Sequence, residues 1–432
     1  MKDIARGLDD VSRRGFLSRT ALSLLGVGAM PALDGLLHAQ DVGTVPLRPG
    51  APAKNVIYLN MDGGMSHLDT FDLKPGAKTQ GPIEGIRTNA EGVLVHKLLA
   101  RLAKKMNRVC VVNSMTSTQG AHEQAQYYVH TSYMLRGTIK HPTIGAWMSL
   151  MMGSRNPALP PHVSVLDATK RVSAGFMESK HGPLPIRDPQ AGLQDGRRPS
   201  GVSEAAYAER LKAAQELDAA FAAKFDQRPV RAYADMYDQA TRLMASKDLE
   251  AFDLRKEPSA LREAYGMDPF GQGVLLARRL IEHRVRCVEV QFGGWDTHYD
   301  NFDTLERKLP VLDAALASLL GDLESRGLLD ETLVVVATEF GRTPDIRVEH
   351  EGRDHYPKAF TCLLAGGGIR GGRAYGRTDP EGREAVEKPV QIPDFNATIA
   401  HALGLPLGFS VHSPSGRPFT VADKGTPILE LF

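Results

Sequence analysis

The stretch from 331 to 372, ETLVVVATEFGRTPDIRVEHEGRDHYPKAFTCLLAGGGIRGG, constrains the fold of this chain more than any other. It holds two short apolar runs, 333–337 and 359–365, each too short for a helix and rich enough in apolar residues to be a buried strand. The first runs into Thr338-Glu339-Phe340-Gly341-Arg342; the second follows Asp354-His355-Tyr356-Pro357 and ends in three glycines. In an open α/β sheet, ligand sites gather beyond the carboxyl ends of the strands. A Glu, an Arg, an Asp and a His in that setting form a site hypothesis. The plainer alternative is a surface Glu339–Arg342 pair and an Asp354-His355 turn.

The same grammar recurs along the chain. Residues 55–61 (NVIYLNM) read as a strand running into Asp62-Gly63-Gly64-Met65-Ser66-His67-Leu68-Asp69. The glycines permit a sharp turn, so Asp62, His67 and Asp69 make a possible ligand group. Residues 94–105 read as a helix and 108–113 as a strand leading into the hydroxyl-rich segment 114–118 before another helix. A hydroxyl there, Ser117 or Thr118, suits a nucleophile facing an anion; it equally suits an N-cap. After the strand 286–292 come Asp296, His298 and Asp300, at alternate positions that an extended segment would aim the same way, with Trp295 expected as a pocket wall. Strands at 162–166 and helices at 143–152, 271–283, 305–325 and 391–403 complete an α/β alternation that predicts a doubly wound, mostly parallel sheet. Residues 180–202 read as a long surface loop, and about 200–268 as a helical insertion.

The first 39 residues read as a signal: Ser12-Arg13-Arg14-Gly15-Phe16-Leu17 is a twin-arginine pattern, followed by an apolar run too short to span a bilayer. That predicts export in the folded state through the twin-arginine machinery to the periplasm or beyond, with no membrane span after processing. Residues 40–53 read as a linker and 54–432 as the domain. A formal net charge of +1 argues against a general nucleic-acid binder. Cys110, Cys287 and Cys362 each lie within an apolar run, as buried thiols would, and lack zinc-ligand spacing.

The order of these motifs resembles the alkaline phosphatase and sulfatase superfamily. Residues 55–63 look like its first strand, 331–341 like the strand that ends in Asp-His-Gly, 355–371 like the late histidine with its following strand, and 393–404 like the final helix. More narrowly, residues 54–432 resemble the exported family called domain of unknown function 1501, through Gly63–Asp72, Gly294–His298, Thr338–Pro344 and Gly352–His355. The resemblance implies an alkaline-phosphatase-like α/β fold and a phosphate or sulfate ester hydrolase acting on a small-molecule or glycan ester. It implies one or two divalent ions, of zinc, manganese, magnesium or calcium. Asp62 would be the first-strand ligand, Asp296 with His298 or Asp300 the middle cluster, and His355 the late ligand. Glu339 would take one further ligand position, and Arg342 would grip an ester oxygen. His67 is read as a further ligand, and Asp69 and Asp354 either as ligands or as groups orienting the histidines. Two departures stand out. Asp-His-Gly is Glu339-Phe340-Gly341 here, and no Cys-x-Pro-x-Arg motif is present, which argues against a formylglycine nucleophile. The competing reading is a non-catalytic periplasmic protein that binds a glycan or a protein partner on a degenerate version of this fold.

Overall fold

A computed structural model describes residues 45–166, 173–193 and 246–432, with isolated positions between 201 and 244. The twin-arginine segment and most of the expected helical insertion therefore lie outside the described residues.

Among the described residues nine strands form the central sheet: β1 Asn55–Met61, β2 Val109–Thr116, β3 His162–Val165, β4 Leu184–Ile186, β5 Cys287–Phe292, β6 Thr332–Ala337, β7 Phe360–Ala365, β8 Arg373–Tyr375 and β9 Val390–Gln391. Their order is β8-β2-β7-β6-β1-β5-β3-β4, with β9 also pairing with β2. The inner strands read as unbroken apolar runs because both faces are covered. Side chains alternate between faces: Ile57, Leu59 and Met61 enter one core, while Val56 and Tyr58 enter the other. The first core is roofed by α4 (Pro269–Glu282) and α5 (Asn301–Ser325). The second is roofed by α1 (His122–Thr131), α2 (Ile144–Met152) and α6 (Ile392–Ala402). The chain is thus doubly wound. A shorter helix, α3 (Ser259–Tyr265), packs on α5 within the region expected to be helical.

β7 departs from the parallel expectation. It runs antiparallel to both β6 and β2, whereas every other pairing in the sheet is parallel. The reversal matters for position: His355 precedes β7, so only an antiparallel β7 brings it to the edge where β1, β5 and β6 end.

Three other expectations change. Residues 94–105 are not a helix: Leu94–His96 is a strand paired with Gly85–Arg87, followed by short 3-10 turns. Apolar residues three and four apart, here Leu99, Leu102 and Ala103, serve a buried irregular segment as well as a helix. Within the expected surface loop 180–202, residues 184–186 add a strand to the sheet edge. The described part of the expected linker is docked, with Arg48 N donating to the Gly404 carbonyl and Ala53 N to the Ala402 carbonyl. The three cysteines are buried and free.

Candidate metal centre

β1 ends in Asp62-Gly63-Gly64, against the loop that follows β5. Gly63 has φ +119°, and a Cβ there would lie 2.5 Å from the backbone nitrogen of Asp296. Only glycine lets the two strand ends touch this closely. The Asp62 carboxylate is clamped by two amides: Gln126 Nε2 on α1 donates to Oδ1 at 2.9 Å and Gln291 Nε2 on β5 to Oδ2 at 2.7 Å.

Beside this clamp, His122, Asp296 and His355 each offer a ligand atom, and these atoms lie within 4.8 Å of one another. His298 joins them: its Nε2 is 3.0 Å from His355 Nε2 and 3.2 Å from Asp296 Oδ1. The three rings come from the start of α1, the loop after β5 and a two-residue ribbon in which His355 pairs with Arg342.

What each ring holds on its far side fixes its proton. His122 Nδ1 lies 2.8 Å from Glu339 Oε1, His298 Nδ1 2.7 Å from Asp354 Oδ1, and His355 Nδ1 2.8 Å from the Gly120 carbonyl. Each of those partners is an acceptor, so each Nδ1 donates, and in the neutral ring each Nε2 is left with a lone pair. The Nε2 atoms of His298 and His355 then face one another and Asp296, while His122 Nε2 is buried without a hydrogen-bond partner, 3.2 Å from Asp296 Oδ2. Lone pairs and a carboxylate converging in this way require a cation, whether protons or a metal ion.

The electrostatics agree. Hydrogen bonding to Glu339 raises the His122 pKa above its ordinary value; burial opposes this and the Asp296 carboxylate adds to it. Burial pushes the Asp296 carboxyl up, but the Arg342 hydrogen bond and charge, with His122 and His298, more than offset it and bring it to about 2. Burial lowers His355, helped by the charges of His122 and Arg342.

The structure brings Asp296, His298, Glu339, Asp354 and His355 into one network, but not in equal roles. Glu339 is fully buried and accepts from Gly63 N at 2.9 Å as well as from His122; Asp354 holds His298 and Arg347. Both orient the rings. Arg342 is not placed to grip an ester. It is fully buried, and its guanidinium donates to the carbonyls of Gly63, Gly64 and Arg353 and to Asp296 Oδ1 at 2.6 Å. Asp62 sits in its amide clamp next to the cluster. His67 and Asp69 belong to other networks: His67 Nε2 donates to the Gly382 carbonyl, and Asp69 is buried against Arg353, Ser66 and Asn301. Asp300 has φ +48° and an exposed side chain, so the extended pattern that aligns Asp296 with His298 ends before it. Trp295 is buried against Phe292 and does not wall an open pocket. Ser117 and Thr118 are not among the groups that converge: Ser117 N donates to the Pro357 carbonyl, and both hydroxyls accept from Gln119.

His122 was not singled out as a ligand from the sequence, nor were Gln126 and Gln291 as the clamp. The available signal was position: His122 opens the helix that follows the hydroxyl segment, at the carboxyl edge of β2.

Known structures similar to this one include the lipoteichoic acid synthase LtaP from Listeria monocytogenes, at 10% identity and a TM-score of 0.36, covering 84% of this chain and 76% of that one. The PsFucS1 sulfatase from Pseudoalteromonas sp. is similar at 14% identity and a TM-score of 0.37, covering 87% and 73%. The alkaline phosphatase from the Antarctic bacterium TAB5 is similar at 11% and 0.33, covering 74% and 92%. No curated protein matches the sequence. Residues 53–432, which carry the sheet and every group of the cluster, match the family described as protein of unknown function (DUF1501), and the chain belongs to that family.

Proposed function

We propose that this chain is an exported, metal-dependent hydrolase of phosphate or sulfate esters. In this reading residues 54–432 are one catalytic domain with its helical insertion near 200–268, and residues 1–39 are the twin-arginine signal. Among the described residues no helix is long and apolar enough to cross a membrane. The observation that carries the reading is the convergence of three imidazole Nε2 atoms on the Asp296 carboxylate, each ring oriented by an acceptor on Nδ1. The buried, unpartnered His122 Nε2 marks where a ligand bond would go. Three neutral imidazoles and a carboxylate suit zinc best, and manganese next.

His122, Asp296, His298 and His355 would hold the ion, which when bound supplies positive charge to a developing oxyanion and acidifies a water. The chain's own groups do the positioning. Glu339, Asp354 and the Gly120 carbonyl fix the rings, and Arg342 holds Asp296. Ser117 or Thr118 would attack or hold a substrate oxygen. The test is metal analysis of protein exported and purified without chelator, with hydrolysis of p-nitrophenyl phosphate, its diester and the sulfate. Bound metal and turnover of one ester, both lost in Asp296→Asn, support the reading; protein free of metal and inert toward all three sinks it. The engagement of Arg342 with backbone favours a second reading, a binding protein that keeps the metal as a structural or recognition element. Stoichiometric metal without turnover would support that one.

A further inference from the structure

A cavity of about 750 Å³ opens at the same sheet edge, between the end of β5, the start of α4 and the first half of α5. Leu166, Phe270 and Phe292 give it apolar walls, and Gln291, Arg307 and Lys308 line it. Its position ties it to the metal centre. Gln291 is half of the clamp on Asp62, and Gly293 and Gly294 of its wall immediately precede Trp295 and Asp296.

The cavity is short of negative charge. Arg307 and Lys308 are adjacent on α5, and among the described residues neither makes an ion pair. Arg307 donates to Thr304 Oγ1 at 3.1 Å and is exposed; Lys308 donates to the Gly293 carbonyl at 2.5 Å and lies 4.4 Å over the Phe292 ring. The carboxylate in the lining, Asp268, caps α4 by accepting from Gly271 N at 2.9 Å. Burying an ammonium beside a second cation costs free energy that an anion placed between them would offset. Burial, with Arg307, lowers the Lys308 pKa, as that shortage requires. Gln291, whose Nε2 holds Asp62, lines the cavity and joins it to the metal centre.

We propose that this cavity is a subsite for an anionic saccharide: a sulfate, phosphate or carboxylate on Arg307 and Lys308, and the ring against Leu166 and Phe292. The proposal rests on the hydrolase reading for its biological sense, since it places a second anionic group of the substrate beside the ester to be cleaved. Its test does not need catalysis. Calorimetric titration of the full protein with a sulfated dextran oligosaccharide, the neutral oligosaccharide of equal length and sodium sulfate reads the subsite directly.

The sulfated oligosaccharide should bind, the neutral one should bind much more weakly, and sodium sulfate should compete only weakly. Arg307→Gln, on an exposed side chain that cannot threaten the fold, should weaken binding about tenfold, and Lys308→Met, which keeps the packing on Phe292, by a similar factor. Arg377→Gln, a distant surface cation paired with Glu387, should leave it unchanged. Asp296→Asn should keep the binding even if it loses metal, so failure of the metal centre and failure of the subsite are separable. Equal binding by wild type and Arg307→Gln, no binding by wild type, or sodium sulfate binding as tightly as the oligosaccharide would each overturn the proposal.

Discussion

Replacing Glu339 by Gln changes a single atom type at the point on which the metal centre depends. The Glu339 carboxylate is fully buried, and one oxygen, Oε1, accepts from both Gly63 N–H at 2.9 Å and His122 Nδ1–H at 2.8 Å, while Thr338 Oγ1 donates to Oε2 at 3.3 Å. A glutamine whose amide oxygen takes the place of Oε1 keeps both of the first two bonds, and its NH2 replaces Oε2 against Thr338. The proton then stays on His122 Nδ1, but the negative charge behind the ring is gone, which makes His122 Nε2 a weaker base and a weaker ligand. Loss of the charge on a partner of this kind weakens metal binding by roughly 10–100-fold, or about 1.4–2.7 kcal/mol. The His122 pKa, now raised chiefly by Glu339, should fall in the metal-free variant. Zinc titration against a competing chelator reads the affinity, and nitrogen-15 NMR of the histidine rings reads the tautomer. If Glu339→Gln binds zinc as tightly as wild type, or if its His122 proton has moved to Nε2, the account of a ring held and charged by Glu339 is refuted.

A Cβ on Gly352 would lie 1.7 Å from the His298 carbonyl oxygen, so Gly352→Ala should displace the His298 segment and lower metal content several-fold while circular dichroism stays near wild type. Burial brings His162 from its ordinary 6.5 down to about 4. The unfolded chain therefore takes up a proton here, between those values, that the fold excludes. His162 thus contributes its full stability above about pH 6.5 and loses it as pH falls toward 4, by roughly 3 kcal/mol. Urea unfolding of wild type and His162→Leu across that window should show a shallower pH slope in the variant; equal slopes would remove His162 from the account. Replacing Arg13 and Arg14 together by Lys should strand the precursor in the cytoplasm, and normal periplasmic levels on immunoblotting would rule out the twin-arginine signal.

What the sequence determined by itself was the set of strands and the chemistry at their ends. Short β-branched runs flanked by glycine, aspartate and histidine can be read locally, because burial on both faces leaves an unbroken apolar run whatever the partner strand. That is why 55–61, 287–292 and 332–337 were legible, and why Asp296, His298, Glu339 and His355 stood out at their ends. Only the tertiary structure decided which of these groups meet. An apolar run carries no record of strand direction, so the reversal of β7 that delivers His355 to the shared edge could not be read. A histidine opening a helix looks like any other until the helix is docked, so His122 was missed. Arg342 and Asp300 carry the right chemistry in the sequence. Burial against backbone carbonyls occupies the first and a left-handed backbone turns the second away, and both depend on contacts with residues distant in the chain. The tautomers that make three imidazoles a ligand set are likewise set by Glu339, Asp354 and the Gly120 carbonyl. All three acceptors are far in sequence from the ring they hold, the nearest 56 positions away, so only the folded chain could assemble them.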